Sequence, residues 1–390
     1  MTSLGTILIL LLSLLHSVWG EQEISLLFAG DAMQHGPQIN AARRSDGSFD
    51  YSSCFALLED EIKGADYAVV NLECPLGGEP YSGYPAFSAP DDFARQLRDS
   101  GFDLLLTANN HCLDRRDAGL RRTISALDDL GIPHTGTFLS RKHREETSPM
   151  IVDVKGVRIA MLSYTYGTNG IPIQGTVAVN YIDRTRISAD IDTARQRGAQ
   201  VVCVNLHWGI EYQLLPVESQ RSLADWLVEE KGVDLIIGGH PHVIEPMEIR
   251  HSQRYNKDVL LVYSMGNFIS NQNGDDSRGG VMVLVGITTQ AGQVKSITAS
   301  YRLFFCQKPL RQAKSTSYDT PEADPTNYQL IPAHRADLIR PDSRQAFNLF
   351  MQNARRIFDA HNVMVTEAPK SGELPLRPYL DCNISTLLLK

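Results

Sequence analysis

Five short apolar runs in this sequence end in the same way, and that repetition limits the fold more than any other feature. Ser25-Leu-Leu-Phe-Ala runs into Gly30-Asp31, and Tyr67-Ala-Val-Val runs into Asn71-Leu72-Glu73. Asp103-Leu-Leu-Leu-Thr-Ala leads to Asn109-Asn110-His111, and Val201-Val-Cys-Val-Asn-Leu to His207-Trp208-Gly209. Leu235-Ile-Ile passes through paired glycines to His240-Pro241-His242. Apolar runs this short, bounded by turn formers, read as fully buried strands. Residues just past the carboxyl ends of strands in an α/β sheet face the crevice where ligands bind. Each ending also has a bland explanation: Asp31 as a helix cap, Glu73 as a buried ion-pair partner, His207 as a core histidine packed beside Trp208. For all of them to be bland, equivalent strand ends would have to coincide by accident. The pattern therefore predicts one convergent site.

The intervening chain supplies the other elements. Helical spacing covers Asp91–Ser100, Asp114–Leu130 with Gly131 as its stop, Arg186–Arg197, and Val217–Glu230 between Pro216 and Gly232. Met150–Tyr164 reads as a hairpin turning at Lys155-Gly156, and Gly280–Thr288 with Gln293–Phe305 as another turning at Ala291-Gly292. Pro75–Pro90 and Tyr166–Gly175 read as ordered loops. Parallel βα units mixed with antiparallel hairpins predict an α/β fold of two mixed sheets with helices outside. Gln307–Asp324 is polar and rich in Pro, Ser and Thr, as a linker is. Pro341–His361 is an amphipathic helix that docks through Phe347, Phe350, Met351, Ala354 and Phe358. The expected division is a main domain over 21–306, then a linker and helical C-terminal extension over 307–390.

Residues 1–20 carry an apolar core at Ile7–Leu15 and a small residue before Glu21, as a secretory signal does, although without a basic start. An uncleaved N-terminal anchor is the alternative. With 37 basic against 45 acidic residues the formal charge is −8 and no basic stripe is present, which argues against nucleic acid as a partner. The six cysteines (Cys54, Cys74, Cys112, Cys203, Cys306 and Cys382) show no CxxC spacing and are too few for a disulfide scaffold, although one or two pairs remain open to an exported chain.

Hydrolysis with two metal ions needs a bridging carboxylate, terminal ligands on each ion and a proton donor for the leaving group. Asp31 and Glu73 offer carboxylates; Asn110, His207, His240 and His242 offer neutral ligands; His111 offers the proton. As an ordered set, Gly30-Asp31, Asn71-Leu-Glu73, Ala108-Asn-Asn-His-Cys-Leu-Asp114, His207-Trp-Gly-Ile-Glu-Tyr212, Gly239-His-Pro-His-Val243 and Tyr263-Ser-Met-Gly-Asn-Phe268 resemble the poly-gamma-glutamate capsule biosynthesis (CapA) family. That family is a branch of the calcineurin-like metallophosphoesterase superfamily, and the resemblance covers Ile24 to Thr288. It implies a four-layer α/β/β/α sandwich and two divalent ions (Mn, Fe or Zn). One ion would be held by Asp31, Glu73 and His242, the other by Glu73, Asn110, His207 and His240, with Glu73 bridging. It further implies His111 as the catalytic histidine, with Asn71, Asp114, Glu211, Tyr212 and Asn267 on the substrate side. The chain departs from the wider superfamily at Met33, where a histidine is usual, with His35 at best a loose substitute, and at Asn71.

The resemblance implies an exported hydrolase or transferase of the periplasm or cell surface, membrane-associated if the N-terminal segment is retained. Its substrate would be an anionic envelope or capsular polymer or a phosphoester, and its partners membrane-embedded capsule synthesis or export subunits. Two alternatives stand beside it: a non-catalytic polymer-binding or assembly subunit of an export complex, and a metal-dependent amide hydrolase on a glutamyl polymer.

Overall fold

The computed structural model of the chain describes residues 21–310 and 327–369. The proposed signal segment, most of the expected linker, Cys382 and the rest of the chain end lie outside the described residues. In chain order the main elements are β1 (Glu21–Ala32), α1 (Gly36–Ala42), β2 (Tyr67–Leu72), α2 (Asp91–Asp99), β3 (Leu104–Leu106), α3 (Arg116–Asp129) and β4 (His134–Thr135). There follow β5 (Met150–Val154), β6 (Val157–Thr165), α4 (Arg184–Gln196), β7 (Val201–His207), α5 (Glu218–Trp226), β8 (Leu235–Gly239), β9 (Met247–Ser252) and β10 (Lys257–Val262). The chain closes with β11 (Asn267–Ile269), β12 (Gly279–Gln290), β13 (Gln293–Gln307), β14 (Gln329–Pro332), α6 (Arg344–His361) and β15 (Thr366–Glu367).

The first sheet runs β14-β13-β12-β1-β2-β3-β4, with β11 paired to β1 and β15 to β13; the second runs β9-β10-β8-β7-β6-β5. Both are mixed. β1 is parallel to β2 and antiparallel to β12, and β8 is parallel to β7 and β10 while β9 and β10 pair antiparallel. Alternate residues of a strand point to opposite faces, and here both faces are covered. Ile24, Leu26 and Phe28 of β1 meet Val201 and Cys203 of β7 in a core between the sheets. Leu27 and Ala29 turn instead toward Phe93 and Leu97 of α2, and Val202 and Val204 toward Ile187 and Ile191 of α4. That double burial is why the strands read as unbroken apolar runs. The layers are helix, sheet, sheet and helix, as expected.

Two local features differ from the sequence expectation. The helix expected from Asp114 starts at Arg116, because the Asp114 carboxylate is turned back onto His111. The C-terminal segment is more than a docked helix: β14 and β15 both extend the first sheet along β13. Its helix docks as expected, with Phe347 and Phe350 against Phe305 and with Phe358 against Tyr301. Finally, the open option of disulfides is not taken among the described residues, where Cys54, Cys74, Cys112, Cys203 and Cys306 are all buried and free. Among those residues no helix is long and apolar enough to cross a membrane.

Candidate metal centre

The parallel strands β1, β2, β3, β7 and β8 bring their carboxyl ends together where the two sheets meet, and the chain there is packed too closely for side chains larger than glycine's. A Cβ on Gly30 would lie 1.9 Å from the Gly266 carbonyl oxygen, which accepts the Asp31 N–H at 3.0 Å. A Cβ on Gly239 would lie 2.8 Å from Asp31 Oδ1. The paired glycines thus let the end of β8 close onto Asp31, whose Oδ2 accepts the His240 N–H at 3.0 Å. Asn71 Nδ2 donates to Asp31 Oδ1 at 2.8 Å. His240 and His242 both hold left-handed backbone, at φ +96° and +59°. Non-glycine residues are kept there only when their surroundings over-determine them. The Tyr212 N–H donating to the Pro241 carbonyl at 2.8 Å, and Asn267 holding His242 through both its carbonyl and Nδ1, supply that restraint.

Glu73, just past β2, is fully buried and neither carboxylate oxygen has a hydrogen-bond partner. Its Oε1 lies 3.4 Å from His207 Nε2 and 3.7 Å from His242 Nε2. The Asn110 amide oxygen accepts from His207 Nε2 at 2.7 Å. Donor atoms of Glu73, His240 and His242 lie within 4.8 Å of one another, as do those of Asp31, Glu73 and His207. Glu73 is common to both groups. His207 and His242 each face both carboxylates, with His242 Nδ1 3.4 Å from Asp31 Oδ2 and His207 Nδ1 3.8 Å from Asp31 Oδ1. Asn267 occupies His242 Nδ1 at 3.1 Å, which leaves Nε2 for Glu73.

Charge is distributed unevenly across this cluster. Burial pushes the Glu73 carboxyl well above the carboxylate range, and the neighbouring Asp31 charge adds to it. Burial acts in the same sense on Asp31, but His242 and His207 with the Asn71 amide outweigh it and hold that carboxyl well below its usual value. Burial drives His207 down to about 3 and His240 down to about 2, with the neighbouring imidazoles adding to it, so both are neutral and free to act as ligands. His242 goes the other way, to about 9, because Glu73 and Asp31 outweigh its burial. An orphaned buried carboxylate, an unpartnered His240 Nδ1 and neutral imidazoles around them form a donor set that fits divalent cations.

His111 stands beside this set. Its Nδ1 is 2.8 Å from Asp114 Oδ2, and its ring lies edge-on to Phe87 at 4.7 Å. Burial works to strip its proton, but Asp114 and Glu73 outweigh that and raise its pKa. Asp114 was expected on the substrate side, yet it is buried behind His111 and also accepts the Phe87 N–H at 2.9 Å. Asn267 and Asn71, expected there too, are buried and engaged with His242 and with Asp31 and His207. Only Glu211 and Tyr212 of that group are exposed, at the mouth. The Met33 side chain points away into the apolar layer beneath the helices, and His35 is held by Gln38 and the Asn271 N–H. Trp208 packs on the far side of the second sheet against Tyr263, so it does not bury His207 as a core residue.

Three further residues belong to the site. Asn109 donates to the Leu72 carbonyl at 2.8 Å and accepts the His111 N–H at 3.2 Å, fixing the corner after β3. Asn169 accepts from the Asn110 amide at 3.2 Å, and the Tyr166 ring lies 4.5 Å from His240. Asn109 was visible as the first residue of an Asn-Asn-His ending. Nothing in the spacing of the 166–175 loop marks Tyr166 or Asn169.

A sequence model described as bacterial capsule synthesis protein PGA_cap matches residues 25–272. Among curated proteins, the capsule biosynthesis protein CapA of Bacillus anthracis is 25% identical over 305 residues, covering 72% of this chain and 71% of its own length. The PGA biosynthesis protein CapA of Bacillus subtilis (strain 168) is 30% identical over 275 residues, or 68% of each. Among solved structures, the Haemophilus influenzae NAD nucleotidase aligns with a TM-score of 0.49 at 13% identity, over 90% of this chain and 58% of that one. The calcineurin-like phosphoesterase YfkN of Bacillus subtilis aligns at 0.43 and 15%, over 72% of this chain and 90% of that one.

Proposed function

The chain belongs to the bacterial capsule synthesis protein family, and on that premise we propose that it is an exported, dinuclear metal-dependent hydrolase or transferase acting on a phosphoester-type bond of an anionic envelope or capsular substrate. The observation that carries this reading is Glu73: a buried carboxylate with no hydrogen-bond partner, shared by both groups of donor atoms. A structural glutamate at this depth would be paired. Asp31, Glu73 and His207, with Asn110 beside them, would hold one divalent ion, and Glu73, His240 and His242 the other. Such ions supply Lewis-acid activation of an ester oxygen and of water.

The remaining work falls to the protein. Asn71 and the His240 N–H fix the Asp31 carboxylate. Asn267 fixes the ring of His242. Asp114 occupies His111 Nδ1, which leaves Nε2 to pass a proton to the leaving group, and Asp114 and Glu73 favour the protonated ring against its burial. The test is elemental analysis of the full chain after reconstitution with manganese, iron or zinc, together with turnover of a phosphodiester. Close to two ions per chain and metal-dependent hydrolysis are expected. No metal above background, or metal without hydrolysis of any ester, would refute the reading.

A further inference from the structure

The mouth of the centre is rimmed by aromatic rings that the packing of the fold does not use. Tyr84, Tyr166 and Tyr212, from three separate loops, are 74%, 48% and 55% exposed. Each leads by ring contact to the centre. Tyr166 lies 4.5 Å from His240 and Tyr212 lies 6.2 Å from His242, while Tyr84 lies 6.3 Å from Phe87, which abuts His111. The phenols of Tyr84 and Tyr212 are near enough for charge on one to act on the other, so these two loops come together at the opening. Ile210, also exposed, sits on the same loop as Tyr212. Single exposed apolar side chains are ordinary. Their convergence on one opening marks a binding surface.

Glu211 brings a negative charge to this opening. Exposed Glu211 acts on His207, His242, Tyr166 and Tyr212, and no lysine or arginine is among the charges acting most strongly on those four. Lys308 acts on His35 instead, and its Nζ donates to Asn271 and Asn273. A chain of carboxylates threading the mouth would meet the Glu211 carboxylate, and the basic side chain against the Tyr84 loop, Arg115, is engaged with the Pro80 carbonyl and Ser82. An uncharged ring with hydroxyl groups would find flat faces to lie on and a carboxylate to accept its O–H groups.

We infer that the Tyr84–Tyr166–Tyr212 rim binds an uncharged sugar ring attached to the phosphoryl group, with Glu211 accepting from its hydroxyls. This rests on the phosphoester reading of the centre and assigns the part of the substrate that does not react. The polymer, if one is bound, would then be glycosyl and not glutamyl at this subsite.

Calorimetry on the full-length, manganese-loaded protein tests it with four probes: glucose 1-phosphate, adenosine 5′-phosphate, glycerol 3-phosphate and tri-γ-glutamate. The first two should bind roughly tenfold more tightly than glycerol 3-phosphate, the usual worth of a well-placed aromatic contact. Whichever of the two is tighter identifies the ring as part of a glycan or of a nucleoside, and either supports the rim. Tyr84→Ala and Tyr212→Ala should each bring that ratio toward one without weakening glycerol 3-phosphate, and Tyr212→Phe should preserve it. Equal affinities in the wild type, a ratio unchanged in both alanine variants, or tightest binding of tri-γ-glutamate would overturn the inference. Hydrolysis recorded on the same samples separates the two proposals. A ring preference without turnover would remove the enzyme and leave the subsite, whereas turnover with no ring preference would do the reverse.

Discussion

Replacing Glu73 by glutamine should change stability in opposite directions depending on whether metal is present. The side chain is fully buried, both oxygens lack partners, and Asp31 adds repulsion, so without a cation Glu73 is a cost to the fold. An unsatisfied buried polar group costs about 1–3 kcal/mol, and more when charged. Glu73→Gln keeps the volume and mimics the protonated form to which burial and Asp31 drive this carboxyl, which spares the proton uptake that folding otherwise requires, so in EDTA near neutral pH the variant should unfold at higher urea, by about 1–3 kcal/mol. With metal the order reverses. A ligand that binds only the folded state stabilises it by about 2.7 kcal/mol at a hundred times its Kd. The wild type should gain about that much for each ion bound under these conditions. The variant should gain almost nothing, because Glu73 contributes to both donor groups. Urea unfolding of both proteins in EDTA and in manganese measures all four values. A variant less stable than wild type in EDTA, or one that keeps its response to manganese, would show that Glu73 is a structural carboxylate.

His111→Ala should retain metal and fold while losing about 10²–10⁴-fold in turnover, with a smaller loss for esters whose leaving group needs no proton. A destabilised variant that stays fully active per folded molecule would remove His111 from the chemistry. Asp114→Asn should shift the alkaline limb of the pH–rate profile to lower pH, because it takes away the carboxylate that raises the His111 pKa against burial; an unmoved limb would exclude that role. Burial also lifts the Glu245 carboxyl to about 8, with Gln220 donating to it at 2.7 Å. A group raised in the folded state contributes stability that is complete below its unfolded pKa, near 4.5, and is lost as pH climbs toward 8. Glu245→Gln mimics the protonated form, so it should match wild type near pH 4.5 and exceed it by about 3 kcal/mol at pH 7. A stability difference that does not vary with pH would refute this assignment.

The donor set could be read from the sequence because each donor follows a buried strand, and strand ends in such a sheet converge whatever the loops do. Asp31, Glu73, Asn110, His207, His240 and His242 all needed only that rule to be brought together. Residues whose role depends on side-chain direction could not be read the same way. Asp114 sits in a motif facing the site, but its carboxylate is spent on His111 and the Phe87 N–H. Tyr166 and Asn169 lie on a loop without periodicity, and only tertiary packing returns them to Asn110 and His240. β14 is not legible in the sequence because its four residues, Gln329-Leu-Ile-Pro332, are too short to show a period and end in proline. Its burial comes from β13, at a distance in sequence that local patterns do not carry.

Met33 and the absence of basic residues among the strongest influences on the centre bear on one question, namely how an acidic chain would hold the anionic substrate proposed for it. Met33 packs into the apolar layer, so no histidine reaches the centre from that position, and Asp31 is steadied by the Asn71 amide and the His240 N–H in its place. Neutral donors then predominate: Asn110, with His207 and His240 held neutral by burial, surround two carboxylates. Two divalent ions would bring four positive charges to those two negative ones, a net excess of about two in a site of low dielectric, where charge acts at long reach. That excess is enough to bind a phosphoryl group without lysine or arginine. It would not extend to a string of carboxylates beyond the mouth, where exposed Glu211 acts on the rim tyrosines. The electrostatics therefore favour a substrate charged at the reacting group and neutral where it meets the tyrosines.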